Sequence, residues 1–85
     1  TGLHAAAWRG DVAAIERGAS RSALEARDPM GRTPLHVATF ARQRGALKAL
    51  LKAGADTAAL EHGRYDAVTI AAVADDEDTL RTLLA

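Results

Sequence analysis

The sequence DPMGRTPLHVA at residues 28–38, followed by LLKAGAD at residues 50–56, decides the fold. Thr33 is a residue type that caps the start of a helix well. Pro34 after it takes the first helical position, where a missing N–H costs nothing. Gly54 stands where a left-handed residue commonly closes a helix. The two stretches therefore predict a start and an end for helical segments.

The segment between these signals has the spacing of two short helices. Its first part, at 34–41, carries mostly small apolar side chains, which would let a neighbouring helix approach closely. In the second part, at 44–52, Leu47, Leu50 and Leu51 follow the i, i+3, i+4 pattern and form one apolar face. The pattern predicts a helix–turn–helix pair that must bury its apolar face against something else.

The same pattern recurs along the chain. LHAAAW at 3–8 aligns with LHVATF at 35–40, which is 32 residues later, and with VTIAAV at 68–73, another 33 residues on. LKALL at 47–51 aligns with LRTLL at 80–84, again 33 residues apart. A period near 33 with two short apolar stretches in each unit predicts a solenoid of stacked helix pairs.

These residues closely resemble the ankyrin repeat. The resemblance covers a complete unit at 28–60, most of a unit at 1–27 and the first part of a unit at 61–85. It implies one all-α domain over 1–85, a helix-turn-helix solenoid with short hairpin-like turns between repeats. Both ends fall inside repeats, so we expect a fragment of a longer array or a domain inside a larger chain.

The first unit departs from this pattern. Gly18 and Ala19 stand where Leu50 and Leu51 stand in the central unit, and the unit is one residue shorter. Losing two buried leucines removes roughly 3–6 kcal/mol of burial. We therefore expect either a frayed second helix or residues missing between positions 17 and 24.

Two positions differ between the units in a way that tests the helix ends. Asp66 replaces Thr33 as the capping residue of the third unit. The residue after the first helix is Gly10 in the first unit but Arg42 and Asp75 in the others. If the backbone is left-handed there, each non-glycine residue costs about 1 kcal/mol.

The composition is rich in alanine and electrically neutral. Alanine supplies 21 of the 41 apolar residues, which predicts a thin apolar stripe through the stack and marginal stability for this segment alone. Eleven basic residues against eleven acidic ones argue against a nucleic-acid binder, which needs a standing positive field. The absence of cysteine excludes disulfides and thiolate metal sites.

Sequence features also bear on location and source. No apolar run reaches the roughly 18–20 residues of a membrane span, and no signal-peptide pattern opens the chain. We therefore expect no membrane contact and, by default, a cytoplasmic location. Nine arginines against two lysines, with the alanine excess, are compatible with a GC-rich bacterial source.

The histidines have a metal-binding and a structural interpretation. His4 and His36 are equivalent, but the third unit has Thr69 there. Equivalent positions in a solenoid lie roughly 10 Å apart, too far to share a metal at ~2 Å. The resemblance implies instead that this His, together with Thr33, hydrogen-bonds its turn to a neighbour, and His62 is expected to be solvated. The structural turn residues are therefore His4, Thr33, Pro34, His36 and Gly54.

Catalytic patterns are absent from the sequence. There is no glycine-rich phosphate loop and no serine beside a histidine base, since Ser20 and Ser22 lie among arginines. The acidic run at 75–78 lacks the spacing of a calcium loop and suits the start of a helix. We expect no enzyme and no cofactor. An unrecognised hydrolase or metal-dependent enzyme is the alternative.

The aromatic residues indicate an interaction surface. Trp8 and Phe40 each lie one helical turn after the histidine of their unit, Val73 holds that place in the third unit, and Tyr65 matches Arg32. In ankyrin arrays these places line the concave face, where partners dock. Alternatively, Trp8 and Phe40 simply cover gaps between helices. The candidate partner-binding residues are Trp8, Arg9, Met30, Arg32, Phe40, Tyr65 and Val73.

Charge is segregated although its total is zero. Residues 1–44 carry seven arginines and four acids, or +3, and residues 45–85 carry four basic residues and seven acids, or −3. This difference could orient a partner, promote head-to-tail stacking, or reflect chance on solvated helix faces. We predict a module that binds another protein. The alternative is a structural or oligomerisation segment that packs against a neighbouring domain or a second copy.

Overall fold

The structure is a computed structural model that describes residues 2–84. Within these residues the chain forms helices and turns and no strand. In chain order the helices are α1 Gly2–Arg9, α2 Val12–Gly18, α3 Arg21–Glu25, α4 Pro34–Phe40, α5 Arg44–Lys52, α6 Ala67–Val73 and α7 Glu77–Leu84.

The helices form three pairs that stack in two layers. α1 packs on α2, α4 on α5 and α6 on α7. Between pairs, α1 contacts α4 and α4 contacts α6 in one layer, while α2 contacts α5 and α5 contacts α7 in the other. The described residues measure 30 × 24 × 19 Å along their principal axes. The all-α helix-turn-helix solenoid expected from the sequence is confirmed.

Short polar side chains start the helices. The Thr33 hydroxyl accepts the backbone N–H of His36 at 3.4 Å, and the His36 ring in turn accepts the N–H of Thr33 at 3.0 Å. Asp66 caps α6 by accepting the N–H of Thr69 at 2.7 Å. Asp76 precedes α7 and accepts the N–H of Thr79 at 3.3 Å. Each cap satisfies a backbone donor that the first helical turn leaves without a partner.

A left-handed residue follows the first helix of every pair. Its φ is 75° at Gly10 and 56° at both Arg42 and Asp75. The arginine and the aspartate adopt a conformation that glycine adopts without steric cost, so each stores backbone strain of about 1 kcal/mol. The turn geometry is the same in the three pairs although the residue differs.

The end of α5 is a Schellman motif. Gly54, with φ 100°, donates its N–H to the Leu51 carbonyl at 3.0 Å, and Ala55 donates to the Leu50 carbonyl at 3.0 Å. These two bonds satisfy carbonyls that the helix itself cannot pair. They also reverse the chain toward the next turn.

The core is a thin stripe of alanine and leucine. Small residues dominate the layer of first helices, where Ala7, Ala38 and Ala71 are fully buried. Leu47 and Leu50 of α5 are equally inaccessible and carry much of the apolar volume. Because alanine keeps the helices of neighbouring pairs close, the alanine-rich composition is a packing requirement of the stack.

The first unit differs from the frayed helix expected from its missing leucines. α2 ends at Gly18, and a further short helix, α3, follows it directly. Ser20 caps α3 by accepting the N–H of Ala23 at 3.2 Å. Leu24 of α3 is buried in the core. The additional helix therefore returns one leucine to the stripe from a different place in the sequence.

Candidate functional site

Asp28 organises the turn that precedes α4. Its Oδ1 accepts the N–H groups of Met30 at 2.9 Å and Arg32 at 2.8 Å, and its Oδ2 accepts Arg32 Nε at 2.9 Å. Partial burial alone would raise the pKa of the Asp28 carboxyl, but the hydrogen bonds and charge of Arg32 lower it below the usual value. The ionised carboxylate therefore holds both the turn backbone and the Arg32 side chain.

The next turn is built in the same way around Glu61. Its Oε1 accepts the N–H of Tyr65 at 3.0 Å, and its own N–H donates to the Tyr65 carbonyl at 3.0 Å. The two turns are also joined to each other, because the His62 N–H donates to the Met30 carbonyl at 3.2 Å. The exposed turn tips are thus connected through backbone atoms.

The His62 ring lies directly against Gly31. A Cβ placed on Gly31 would meet ring atom Cδ2 at 2.1 Å, and the φ of this glycine is 76°. Both the backbone conformation and the close approach require glycine at this position. We expected only solvation for His62. Its residue is exposed, but the ring also packs across the turn.

His4 and His36 connect their helices to backbone carbonyls further along the chain. His4 Nε2 lies 2.7 Å from the Arg32 carbonyl, and His36 Nε2 lies 2.9 Å from the Ala59 carbonyl. His36 Nδ1 accepts the Thr33 N–H, so the proton is on Nε2, which donates to Ala59. Burial lowers the pKa of His36, which favours this neutral form.

All three aromatic side chains are on the surface. Trp8 is 60% exposed, Tyr65 49% and Phe40 47%. Met30 and Val73 are also among the exposed large apolar residues. Exposed single apolar residues are common, but here the whole aromatic content of the chain is outside the core.

Three of the candidate residues line one apolar groove. Phe40, Tyr65 and Val73 surround a depression of about 260 Å³ between α4, α6 and the turn before α6. Ile70 contributes to its lining, and we had assigned no binding role to that residue. The sequence placed Ile70 in the repeat pattern but carried no signal that its side chain borders a groove. The remaining lining residues are Thr39, Glu61 and Ala74.

Arg32 lies above one wall of this groove. Its guanidinium carbon is 5.6 Å from the centre of the Phe40 ring, within the range of a cation–π contact. The bond from Arg32 Nε to Asp28 fixes the side chain in that position. The groove therefore has an apolar floor and a positive group held at its edge.

The other candidate residues do not belong to the same groove. Trp8 and Met30 are exposed outside it. Arg9 forms an exposed ion pair with Asp11 at 3.6 Å and lines a separate groove on the first helix pair. The structure therefore brings together Phe40, Tyr65, Val73 and Arg32, and separates Arg9 from them.

Two further searches of residues 2–84 bear on function. No group of three or more His, Asp or Glu side chains is arranged to hold a metal ion. None of the helices in this part of the chain is long and apolar enough to cross a membrane.

Helix pairs stacked in two layers, with polar turns along one edge, define the class of helical-repeat proteins that present a binding surface. Residues 30–62 match the family model of the ankyrin repeat. The chain belongs to the ankyrin repeat family, whose members generally bind other proteins.

Similar proteins extend this relationship over most of the chain. The chain is 39% identical over 84 residues to Inversin of Mus musculus and 38% identical over 84 residues to Inversin of Homo sapiens. Each match covers 96% of this chain but spans only 8% of the relative. Both relatives are mammalian, so they give no support to the bacterial source suggested by the composition.

Proposed function

We propose that this chain is a protein-interaction module whose partner docks on the surface formed by Trp8, Arg9, Met30, Arg32, Phe40, Tyr65 and Val73. Within it, the groove of Phe40, Tyr65 and Val73 receives an apolar anchor of the partner. The observation that carries the proposal is this groove, which combines exposed aromatic side chains with an apolar lining. The unit boundaries at 1–27, 28–60 and 61–85 belong to the same proposal.

Pre-organisation supports this assignment. Aromatic and arginine side chains are the residue types that contribute most to protein interfaces. Arg32 is already held between Asp28 and the Phe40 ring, so docking would freeze little additional side-chain motion. The turn carrying Tyr65 is likewise fixed by Glu61. A rigid groove of this kind suits recognition, and we propose no catalytic step, cofactor or metal for it.

The net charge is consistent with a protein partner. Eleven basic and eleven acidic residues cancel, so no general attraction to polyanions such as nucleic acids is available. Binding would then depend on apolar anchoring, with Arg32 available to a carboxylate of the partner. The partner is accordingly a protein segment that presents an apolar side chain.

The test is affinity capture with matched variants. The immobilised chain captures binding proteins, the best candidate is purified, and its Kd is measured for the original chain, Phe40→Ala, Tyr65→Ala and Leu60→Ala. We expect the first two substitutions to weaken binding by about tenfold or more, the size of a typical hot-spot effect. Leu60 is a matched control because it is exposed to a similar degree but lies outside the groove.

Circular dichroism separates binding from folding. Loss of affinity in Phe40→Ala and Tyr65→Ala with unchanged helical signal supports the proposal. Equal affinities for all four chains, or a loss of helicity that accompanies every loss of binding, would contradict it.

A further inference from the structure

The C-terminal end of the stack exposes positions that are buried one pair earlier. Thr39 of α4 is 3% exposed, whereas Ala72, its equivalent in α6, is exposed. Leu51 of α5 is partly buried against the core, whereas its equivalent Leu84 in α7 is 67% exposed. The same positions are covered in the central pair because the next pair packs on them. At the third pair this apolar face is uncovered.

The N-terminal pair presents a depression instead. A groove of about 580 Å³ is lined entirely by residues of the first unit, among them Leu3, Arg9 and Ala14. Gly18 borders it at the position where the central pair has the fully buried Leu50. The missing leucine side chain leaves this space open.

The two ends are therefore unlike and complementary in shape. A solenoid normally closes its ends with capping units that have polar outer faces. In this chain one end offers protruding apolar side chains and the other a mostly apolar groove. Contact between two different faces of one molecule produces a head-to-tail arrangement that repeats without closing.

The charges and the internal register agree with such a contact. Within the stack, Arg42 of the central pair donates through Nη2 to the carbonyl of Ala74 in the third pair at 3.0 Å. Asp75 occupies the register of Arg42, and Arg9 occupies the register of Ala74. A first pair packed on a third pair in the same register would therefore place Asp75 beside Arg9.

Both side chains are available for that contact. Asp75 is exposed, and the Arg9 side chain is 58% exposed. Arg9 does pair with Asp11 at 3.6 Å, but an exposed ion pair of this kind contributes little and can be exchanged. The charge of +3 on residues 1–44 and −3 on residues 45–85 acts in the same direction over a longer range.

We propose that a second copy of this chain stacks head to tail on the first, with its α1–α2 end against the α6–α7 end. The contact continues the internal register, pairs Asp75 with Arg9 of the second copy, and places Leu84 at the groove beside Gly18. The inference uses the ends of the stack and is independent of the partner-binding groove at Phe40.

The test measures the mass of the chain against its concentration by sedimentation velocity. At low salt we expect the average mass to rise past that of a dimer as the concentration approaches about 1 mM, the range of weak association. About 0.5 M salt should reduce the association, because it screens the exposed charges.

Charge reversal identifies the contact. Arg9→Asp and Asp75→Arg each place like charges at the junction and should leave the chain monomeric. An equimolar mixture of the two variants restores opposite charges at every junction and should associate again. Asp75→Arg is compatible with the fold, because Arg42 already adopts the same φ of 56°. Lys52→Asp in the central pair is the control and should behave like the original chain.

Three results would overturn the proposal. One is a monomer at every concentration, which would leave the end faces to some other occupant, such as a further repeat of a longer polypeptide. Another is a mass that stops at the dimer, because that indicates an interface between identical faces. The third is association that neither charge reversal weakens, or that their mixture does not restore, with all variants folded by circular dichroism.

Discussion

His36 shows how one buried side chain holds several parts of the repeat together. Its ring accepts the Thr33 N–H at 3.0 Å and lies 2.9 Å from the Ala59 carbonyl, so it joins the start of α4 to the segment before α6. Only the neutral ring can accept with one nitrogen and donate with the other. Protonation would break the first of these bonds inside the core.

This arrangement predicts a pH dependence of stability. The pKa of His36 is lowered by burial, so between the unfolded value near 6.5 and the lower folded value only the unfolded chain takes up the proton. The contribution of His36 is complete above about pH 6.5 and is lost as the pH falls toward the folded pKa. We expect the urea midpoint to decrease between about pH 7.5 and 5.5, where the carboxylates stay ionised.

His36→Gln is the matched variant. It should be destabilised by about 1–3 kcal/mol at neutral pH, because one amide cannot reproduce both hydrogen bonds. Its urea midpoint should also change less between the two pH values. The same pH dependence in the variant and in the original chain would show that another group is responsible.

At the residue scale, sequence reasoning succeeded where the chemistry is local. Asp66 was predicted to cap α6, and it does so, because a cap depends only on residues three positions apart. The contact between His62 and Gly31 was missed, since the two residues are distant in sequence and meet only when the turns stack. Ile70 at the groove was missed for a similar reason. Its position was clear, but its neighbours were not.

At the element scale, α2 is the weakest part of the stack. It ends at Gly18, and the equivalent of that residue in α5, Leu50, is fully buried. A Cβ on Gly18 would lie 3.7 Å from Leu3 Cδ1, an ordinary contact distance, and the adjoining groove has space for a longer side chain. The helix therefore lacks apolar volume that its surroundings can accept.

Gly18→Leu should stabilise the chain. We expect a gain of about 1–2 kcal/mol in the free energy of unfolding, from apolar burial and better helix propensity. Gly18→Ala supplies the propensity with almost no burial and should give a smaller gain. Urea denaturation of dilute samples measures both. Equal gains from the two variants would mean that the leucine side chain does not enter the groove.

The helix bounds themselves were predictable for the central unit. We expected helices at 34–41 and 44–52, and α4 and α5 occupy Pro34–Phe40 and Arg44–Lys52. Local capping and termination signals are strong there. α3 was not predicted, because a five-residue helix is held mainly by the tertiary burial of Leu24, which no local pattern records.

At the scale of the whole molecule, stability is distributed along the stack. Each pair contacts only its neighbours, so the central pair is supported from both sides and the outer pairs from one. In such a nearly one-dimensional system, the units at the ends open at a lower free energy than the units inside. The first pair has the additional deficit at Gly18.

Hydrogen exchange measured by mass spectrometry should resolve this gradient. We expect the slowest exchange in α4 and α5, faster exchange in α6 and α7, and the fastest in α2 and α3. The measurement uses dilute protein at low pH-independent opening rates, so that self-association does not add protection. Uniform protection across all helices would indicate that the three pairs open as one cooperative unit.

The backbone connection between the turn tips has a consequence for engineering. The tips are joined by the bond from the His62 N–H to the Met30 carbonyl, which uses no side-chain atom of Met30. The side chains of Met30, Tyr65 and Phe40 point away from the core, and their positions are held by neighbouring groups. A library that randomises these three positions should therefore retain the scaffold, so that new specificities could be selected on an unchanged frame.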